Sequence, residues 1–346
     1  MEMRQLGRTD MQASLYCLGS MLFNLSNTDD SFRQMDMAVE HGINMIDVAE
    51  MYPVNPLSAK TSGDSERVIG QWLEKSGKRK DVLIATKVSG EGYMGVRDGA
   101  PISRASILEA VEGSLKRLKT DTIDLYQLHW PNRGSFHFRK YWEFDATSQN
   151  RQNTRDHILE VLETMQELVD AGKIRAIGLS NESAWGTAQF LEIATENGLP
   201  RVATMQNEYN LINRLYDLDM AELSHNEDVG LLTYSPLAAG MLSGKYSGDV
   251  TPDGSRREYS PNLSGRLTSE SLLAVDAYAA VAQKHGLDLI HMTLAFCAER
   301  PFMTSVIIGA SNIGQLEHIL KGADLTLSDE VNADILATFK KFPRPM

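Results

Sequence analysis

Asp47, Lys87 and His129 each stand at the far end of an apolar, β-branched-rich run: INMIDVAE, VLIATKV and IDLYQLHW. An acid, a base and an imidazole are a costly way to fill a core, because each needs a partner or solvent once buried. A polar site built from strand ends is the economical reading. Tyr52 follows Asp47 by five residues, in DVAEMYP, close enough to hang over such a site. A free phenol ionises near pH 10, so a tyrosine that moves protons at neutral pH needs a neighbouring cation favouring phenolate. Lys87 is the candidate cation, with Asp47 holding it charged. His129 is placed to donate a hydrogen bond to a substrate oxygen and align it with the Tyr52 hydroxyl. Together the four make an acid for a developing alkoxide. Taken singly, each has a plainer reading: an Asp47–Lys87 salt bridge, a loop anchor at Tyr52 and a satisfied core imidazole at His129.

The elements that must position these residues follow a regular rhythm. Eight short apolar runs end near Gly19, Asp47, Lys87, His129, Ser180, Asn207, Ser235 and Ser311. Segments of helical period separate them, among them FRQMDMAVEHG, SERVIGQWLEKSG, SRASILEAVEGSLKRL, TRDHILEVLETMQELVDAG, AWGTAQFLEIATENG and DLDMAELSHNEDVG, with two more expected after residue 270. Several close on glycine, as a left-handed C-cap prefers. Eight strand–helix repeats predict an α/β fold, a closed (β/α)8 TIM barrel with long strand-to-helix loops and extra helices, in one domain over residues 1–346. Three stretches break the rhythm at strand ends. Residues 53 to 63 read as a loop beside Tyr52. Residues 130 to 153 form a long aromatic and basic loop after His129. Residues 236 to 269, rich in glycine, proline and basic residues, suggest a flap over an anion.

Composition narrows the function. A net charge of −12 argues against a nucleic-acid surface or adsorption to anionic lipid. No apolar stretch is long enough to cross a membrane, and MEMRQLGRTDMQ lacks a signal-peptide core, so a soluble, cytoplasmic chain is expected. Cys17 and Cys297, the two cysteines, are expected in the core. GEGYMG at residues 90 to 95 matches GxGxxG, but VRDGAPISR follows where a dinucleotide loop needs an apolar helix. The eight histidines show no metal-ligand spacing, and no metal is expected.

In this order the motifs resemble the aldo-keto reductase family: the Gly19-Ser20-Met21 turn, IDVAEMY, ATKVS, DLYQLHWP, KIRAIGLSN, QNEYN, TYSPLAAGMLSGKY and IIGASNIGQLE. The resemblance covers nearly the whole chain. It is closest to a Tas-like bacterial branch related to potassium-channel β subunits. It implies a barrel that binds NADP(H) without a Rossmann domain and reduces an aldehyde or ketone, with Asp47, Tyr52, Lys87 and His129 as the catalytic tetrad and Tyr52 as general acid. Trp130, with Tyr52 and His129, would contact the substrate. Ser180, Asn181 and Gln206 match the residues that hold the nicotinamide carboxamide, and Tyr234 the ring that stacks on it. Gly19, Ser20, Met21 and Asp47 are implied along the same cofactor. Ser235, Pro236, Leu237, Ala238, Gly240, Leu242 and Lys245 match the pyrophosphate loop, and Arg256 a cofactor-binding arginine. Gly309, Ser311 and Gln315 match the adenosine end. Lys245, Arg256 and Arg257 offer charge to a 2′-phosphate, which favours NADPH over NADH.

One departure stands out. After Gln315 the run is Leu316-Glu317-His318-Ile319, where the family often has acidic and amide residues. The contact to the adenine edge is thereby open, and His318 is a different donor. Arg133, Arg139 and Lys140 in the long loop would either attract a substrate anion or stay solvated. The channel-related branch keeps a second reading in view, a cofactor-binding regulatory or scaffolding subunit whose reductase activity is secondary. A small-molecule carbonyl is the expected partner, and a homo-oligomer is compatible with everything above.

Overall fold

The computed structural model describes residues 1–54 and 56–346. Its elements run β1 (Met3–Gln5), β2 (Gln12–Ser14), β3 (Tyr16–Gly19), α1 (Thr28–Glu40), β4 (Met45–Asp47), α2 (Asp64–Ser76), β5 (Leu83–Val88), α3 (Arg104–Leu118), β6 (Ile123–Leu128), α4 (Arg151–Asp170), β7 (Ile174–Ser180), α5 (Ala184–Asn197), β8 (Val202–Glu208), α6 (Asp219–Glu227), β9 (Gly230–Tyr234), α7 (Ser269–Lys284), α8 (Leu289–Ala298), β10 (Met303–Ile308), α9 (Ile313–Lys321) and α10 (Asp329–Lys341). Strands β3 to β10 pair in parallel in chain order, and β10 closes on β3. This is a (β/α)8 TIM barrel, and all eight apolar runs are its strands. Closure leaves no barrel edge, and it sends every strand's C-terminal end to one face.

Strand alternation decides what that face carries. Cys17, Met45, Ala85, Leu125, Leu232 and Ile307 fill the barrel interior as one apolar layer. Two residues further along the same strands come Gly19, Asp47, Lys87, Gln127, Tyr234 and Gly309. Side chains two apart share a face, so these residues form the next layer up, at the mouth.

Two features depart from the sequence expectation. The first is the hairpin of β1 and β2, three-residue strands too short to show a period. Its Leu6, Met11 and Ala13 close the barrel floor. Gly7 turns the hairpin at φ +58°, and a Cβ there would sit 2.4 Å from the Ala203 carbonyl oxygen. Ala203 is itself the extra residue where the β7–β8 register shifts, Ile177 pairing with Val202 and Gly178 with Thr204. The second is that four helices, α7 to α10, follow residue 268 instead of two. The segment around Cys297 is helical as expected, in α8, where Met292 to Ala298 are buried without a break.

The long loops are pinned to the mouth by buried ion pairs. Glu50 accepts both Arg97 guanidinium nitrogens at 2.6 Å and the Ser89 N–H at 2.6 Å. Glu182 holds Arg133. Glu208 holds Arg139 at 2.8 Å and Arg266 at 2.7 and 3.0 Å. Breaking one such pair typically costs about 3–5 kcal/mol, because the survivor is left charged and buried. Residues 130 to 150 carry one short turn at Lys140–Trp142, and residues 236 to 268 carry three, at Ala238–Ser243, Ser247–Asp249 and Arg256–Glu258. Cys17 and Cys297 are both buried and free. No helix among the described residues is long and apolar enough to cross a membrane.

Gly7→Ala combines a left-handed backbone with a clash against Ala203, so it is expected to destabilise the chain by about 2–4 kcal/mol. The urea midpoint reads the effect, and an unchanged midpoint would show that the floor relaxes freely.

Candidate functional site

Lys87 reaches the mouth from β5 with no exposed surface. Its ammonium donates to Asp47 Oδ1 and Oδ2 at 2.8 Å each and to the Val48 carbonyl at 2.7 Å. These acceptors account for all three of its protons. The Tyr52 ring lies beside it, with Nζ 5.0 Å from the ring centre. The Tyr52 hydroxyl has no hydrogen-bond partner among the described residues. The structure therefore confirms the Asp47–Lys87 pair and corrects its expected effect on Tyr52. Burial pushes the Tyr52 phenol above its ordinary value, the Asp47 carboxylate pushes it further, and Arg256 opposes them. Lys87 makes no hydrogen bond to the phenol, its three protons going to Asp47 and Val48. The phenol stays protonated.

His129, one residue past β6, sets its ring 5.9 Å from that of Tyr52, edge-on. Burial first, and the Lys87 charge second, hold this imidazole well below its ordinary pKa, so it is neutral. Its Nδ1 is buried without a partner among the described residues. Trp130 packs on His129 at 4.9 Å and donates Nε1–H to the Glu91 carbonyl at 3.1 Å. A Cβ on Gly90 would lie 2.3 Å from that indole nitrogen. The first glycine of GEGYMG thus makes room for Trp130, and α3 starts only at Arg104, as the missing helix signal implied.

A hydrogen-bond network joins the remaining strand ends to this centre. Gln206 donates Nε2–H to Asp47 Oδ1 at 2.7 Å and to Gln127 Oε1 at 3.2 Å. The Ser180 hydroxyl donates to the Gln206 carbonyl at 2.8 Å. Asn181 donates to the His129 carbonyl at 2.9 Å and accepts the Tyr234 hydroxyl at 2.7 Å. The Ser20 hydroxyl donates to the Asp47 carbonyl at 2.8 Å, beside Gly19. Met21 follows and accepts Val54 N–H at 3.1 Å.

Beyond β9 the backbone is strained. Ser235, Ala238, Ala239 and Gly240 all have positive φ, 51°, 48°, 58° and 91°. Each non-glycine residue in that region costs about 1–3 kcal/mol, and such strain gathers where backbone N–H groups must be aimed. Pro236 and Leu237 lie within this turn, and Leu242 is buried under it. A Cβ on Gly240 would stand 3.1 Å from Lys245 Nζ, so the bare glycine seats that ammonium. Arg256 sits in the third turn with its Nε buried and unpartnered among the described residues. Across the mouth, Gly309 faces Gly19, Ser311 N–H donates to the Gln315 side chain at 2.9 Å, and Asn312 caps α9. Among the described residues, Gly309, Ser311 and Gln315 make no hydrogen bond to the central network.

Several site features were not read from the sequence. Gln127, the partner of Gln206, stands two residues before His129 on the inward face, and strand alternation alone would have flagged it. Glu208, Arg266, Glu50 and Arg97 had no local signal, because their partners come from other loops. Arg133 and Arg139 are committed to Glu182 and Glu208, so neither is a free anion receptor. Lys140 is exposed. Of the loop aromatics, Phe138, Trp142 and Phe144 are exposed rim residues. His318 turns to Asp288, 3.2 Å away.

Comparison with known proteins gives a concordant picture. The family model described as "Aldo/keto reductase family" matches residues 16–338. Protein tas of Escherichia coli is 39% identical over all of this chain and 99% of its own length. Aldo-keto reductase YhdN of Bacillus subtilis is 30% identical over 97% of this chain and 92% of its own. A probable voltage-gated potassium channel subunit beta of Arabidopsis thaliana is 30% identical over 94% and 92%.

The neutral burial of His129 has a pH signature. Its folded pKa is depressed, as is that of His137, also through burial. Below about pH 6.5 the unfolded chain takes up protons that the folded chain refuses, so stability falls as pH drops from there towards the folded values. In urea unfolding at about pH 7.5 and 5.5, His129→Gln should show a smaller acid loss than the parent chain. An equal loss would contradict the assignment.

Proposed function

Because this chain belongs to the aldo/keto reductase family, we propose that it reduces an aldehyde or ketone to an alcohol with NADPH, Tyr52 being the proton donor. The observation that carries this reading is the Tyr52 hydroxyl, without a hydrogen-bond partner among the described residues and set beside the His129 ring and a fully satisfied Lys87–Asp47 pair.

The residues present fit the cofactor. Turn 238–243 carries left-handed backbone at Ala238, Ala239 and Gly240 and seats an ammonium against Gly240, which suits a pyrophosphate. Lys245 and Arg256 supply charge for a 2′-phosphate. Ser180, Asn181 and Gln206 present amide and hydroxyl groups at the height of the tetrad, suited to a carboxamide, and the Tyr234 ring, tied by its hydroxyl to Asn181, offers a stacking face. NADPH, when bound, supplies the hydride. The chain's own part is proton delivery and alignment. A substrate carbonyl oxygen at Tyr52 would accept the phenolic proton, and a His129 ring N–H would hold that oxygen in line. An alkoxide is a stronger base than a phenolate, so a raised Tyr52 pKa keeps the donor loaded without preventing transfer. Asp47 keeps Lys87 from competing for the proton, and Gln206 fixes the Asp47 carboxylate.

The relative named as a potassium channel subunit favours a second reading, in which cofactor binding serves a partner protein. One experiment separates the two. The purified chain is mixed with NADPH and a panel of aldehydes and ketones, and loss of reduced-cofactor absorbance is followed. Turnover is expected, and Tyr52→Phe should lower kcat by about 10²-fold or more with NADPH affinity within about twofold. Full activity in Tyr52→Phe would remove the assigned acid. Tight NADPH binding with no carbonyl reduced would favour the second reading.

A further inference from the structure

Asp288, His291 and His318 meet outside the barrel mouth, where the first turn of α8 lies against the last turn of α9. Their ligand-capable atoms all lie within 4.8 Å of one another. Linear spacing conceals the group, since the two histidines are 27 residues apart and belong to different helices. The sequence expectation of no metal-ligand set rested on linear spacing, which does not register a cluster assembled from two helices.

The orientation of His291 gives the cluster its character. Its Nε2 lies 2.7 Å from the His318 carbonyl oxygen, which only accepts, so Nε2 carries the ring proton. In the neutral ring Nδ1 is then a lone pair, and it faces Asp288 Oδ1 at 4.0 Å. That lone pair has no hydrogen-bond partner among the described residues, and the carboxylate oxygen it faces already accepts backbone N–H groups. A ring N–H bonded to a backbone carbonyl is the usual way a metal-ligating histidine is held in its tautomer. The ring is also built in. It stacks on His318 at 4.7 Å and 26°, and a Cβ on Gly322 would come within 2.2 Å of its Cγ. Asp288 is fixed as well, its Oδ1 capping α8 through Ile290 and His291 N–H at 2.8 and 3.1 Å. Its Oδ2 stands 3.2 Å from His318 Nε2.

We propose that Asp288, His291 Nδ1 and His318 Nε2 bind a divalent transition metal of the zinc class, with solvent completing the coordination. Bond lengths of about 2.0–2.2 Å place tetrahedral zinc ligands about 3.3–3.6 Å apart. The His291–Asp288 Oδ1 and His318–Asp288 Oδ2 separations, 4.0 and 3.2 Å, lie on either side of that spacing, and one ligand atom from each residue falls within 4.8 Å of the others. Two imidazoles and one carboxylate suit zinc and not magnesium or calcium, which take oxygen ligands. The ion cross-links α8 to α9, whose opposite end carries the Asn312 cap and Gln315. The site stands whether or not the cofactor reading is correct. His318 occupies a departure from the family pattern, and the proposal gives that departure a role.

The test is zinc titration of the full, tag-free chain by calorimetry, with Co²⁺ absorption as a spectroscopic probe. One metal ion per chain is expected. His318→Ala and His291→Ala should each weaken binding at least about tenfold, and excess Mg²⁺ should not compete. Asp288→Asn keeps a capping oxygen while removing the charge, so it should weaken zinc while leaving metal-free unfolding nearly unchanged. Zinc affinity unaltered in both histidine variants, or no stoichiometric binding by the parent chain, would overturn the proposal.

Discussion

A lysine ammonium with no exposed surface is held inside the barrel mouth by one carboxylate and one backbone carbonyl. Burying either charge alone would cost several kcal/mol, so Asp47 and Lys87 are obligatory to each other. The consequences spread outward from the pair. Gln206 is oriented by Asp47, Ser180 by Gln206, Asn181 by Ser180 and His129, and Tyr234 by Asn181. Tyr52 packs over the ammonium without bonding to it. The mouth is one polar network whose centre is electrically satisfied, and its margin holds a protonated phenol and a neutral imidazole.

That arrangement was legible in the sequence to the extent that it depends on strand ends. Asp47, Lys87 and His129 could be placed from apolar runs alone, since a closed parallel barrel has only one face on which strands end. The polarity of the contact between Lys87 and Tyr52 could not. A sequence reading treats Lys87 as a free cation that lowers the phenol, whereas the fold spends all three of its protons on Asp47 and Val48. Gln127 was readable in principle from period two. The rim pairs of Glu50, Glu182 and Glu208 were not, because each joins loops far apart in the chain. The hairpin under the barrel escaped because its strands are three residues long.

The same barrel divides its work by height. Below the charged pair lies an apolar floor sealed by Leu6, Met11 and Ala13, which keeps water from the buried ions. Above it, arginine–carboxylate pairs fasten the loops after β5, β6 and β9, and the glycine-rich segment is anchored as well by buried Ala238, Met241, Leu242, Tyr246 and Leu263. Left-handed non-glycine backbone next to the network falls at Asn181, Ser235, Ala238 and Ala239, and elsewhere at loop and helix-end positions such as Lys119, Asp228 and Leu263. Stability is thus supplied by the lower layers and spent at the mouth, where chemistry needs groups in fixed, unfavourable positions.

The central claim, that Asp47 and Lys87 act as a single unit in carbonyl reduction, is tested most directly by a double-mutant cycle. Asp47→Asn, Lys87→Met and the double variant would be compared with the parent chain in NADPH-dependent turnover, with folding checked by circular dichroism. If the pair is one unit, each single substitution removes most of the activity and the double variant is no worse than the poorer single. Losses that multiply would mean the two residues contribute separately, and the network would not depend on their pairing.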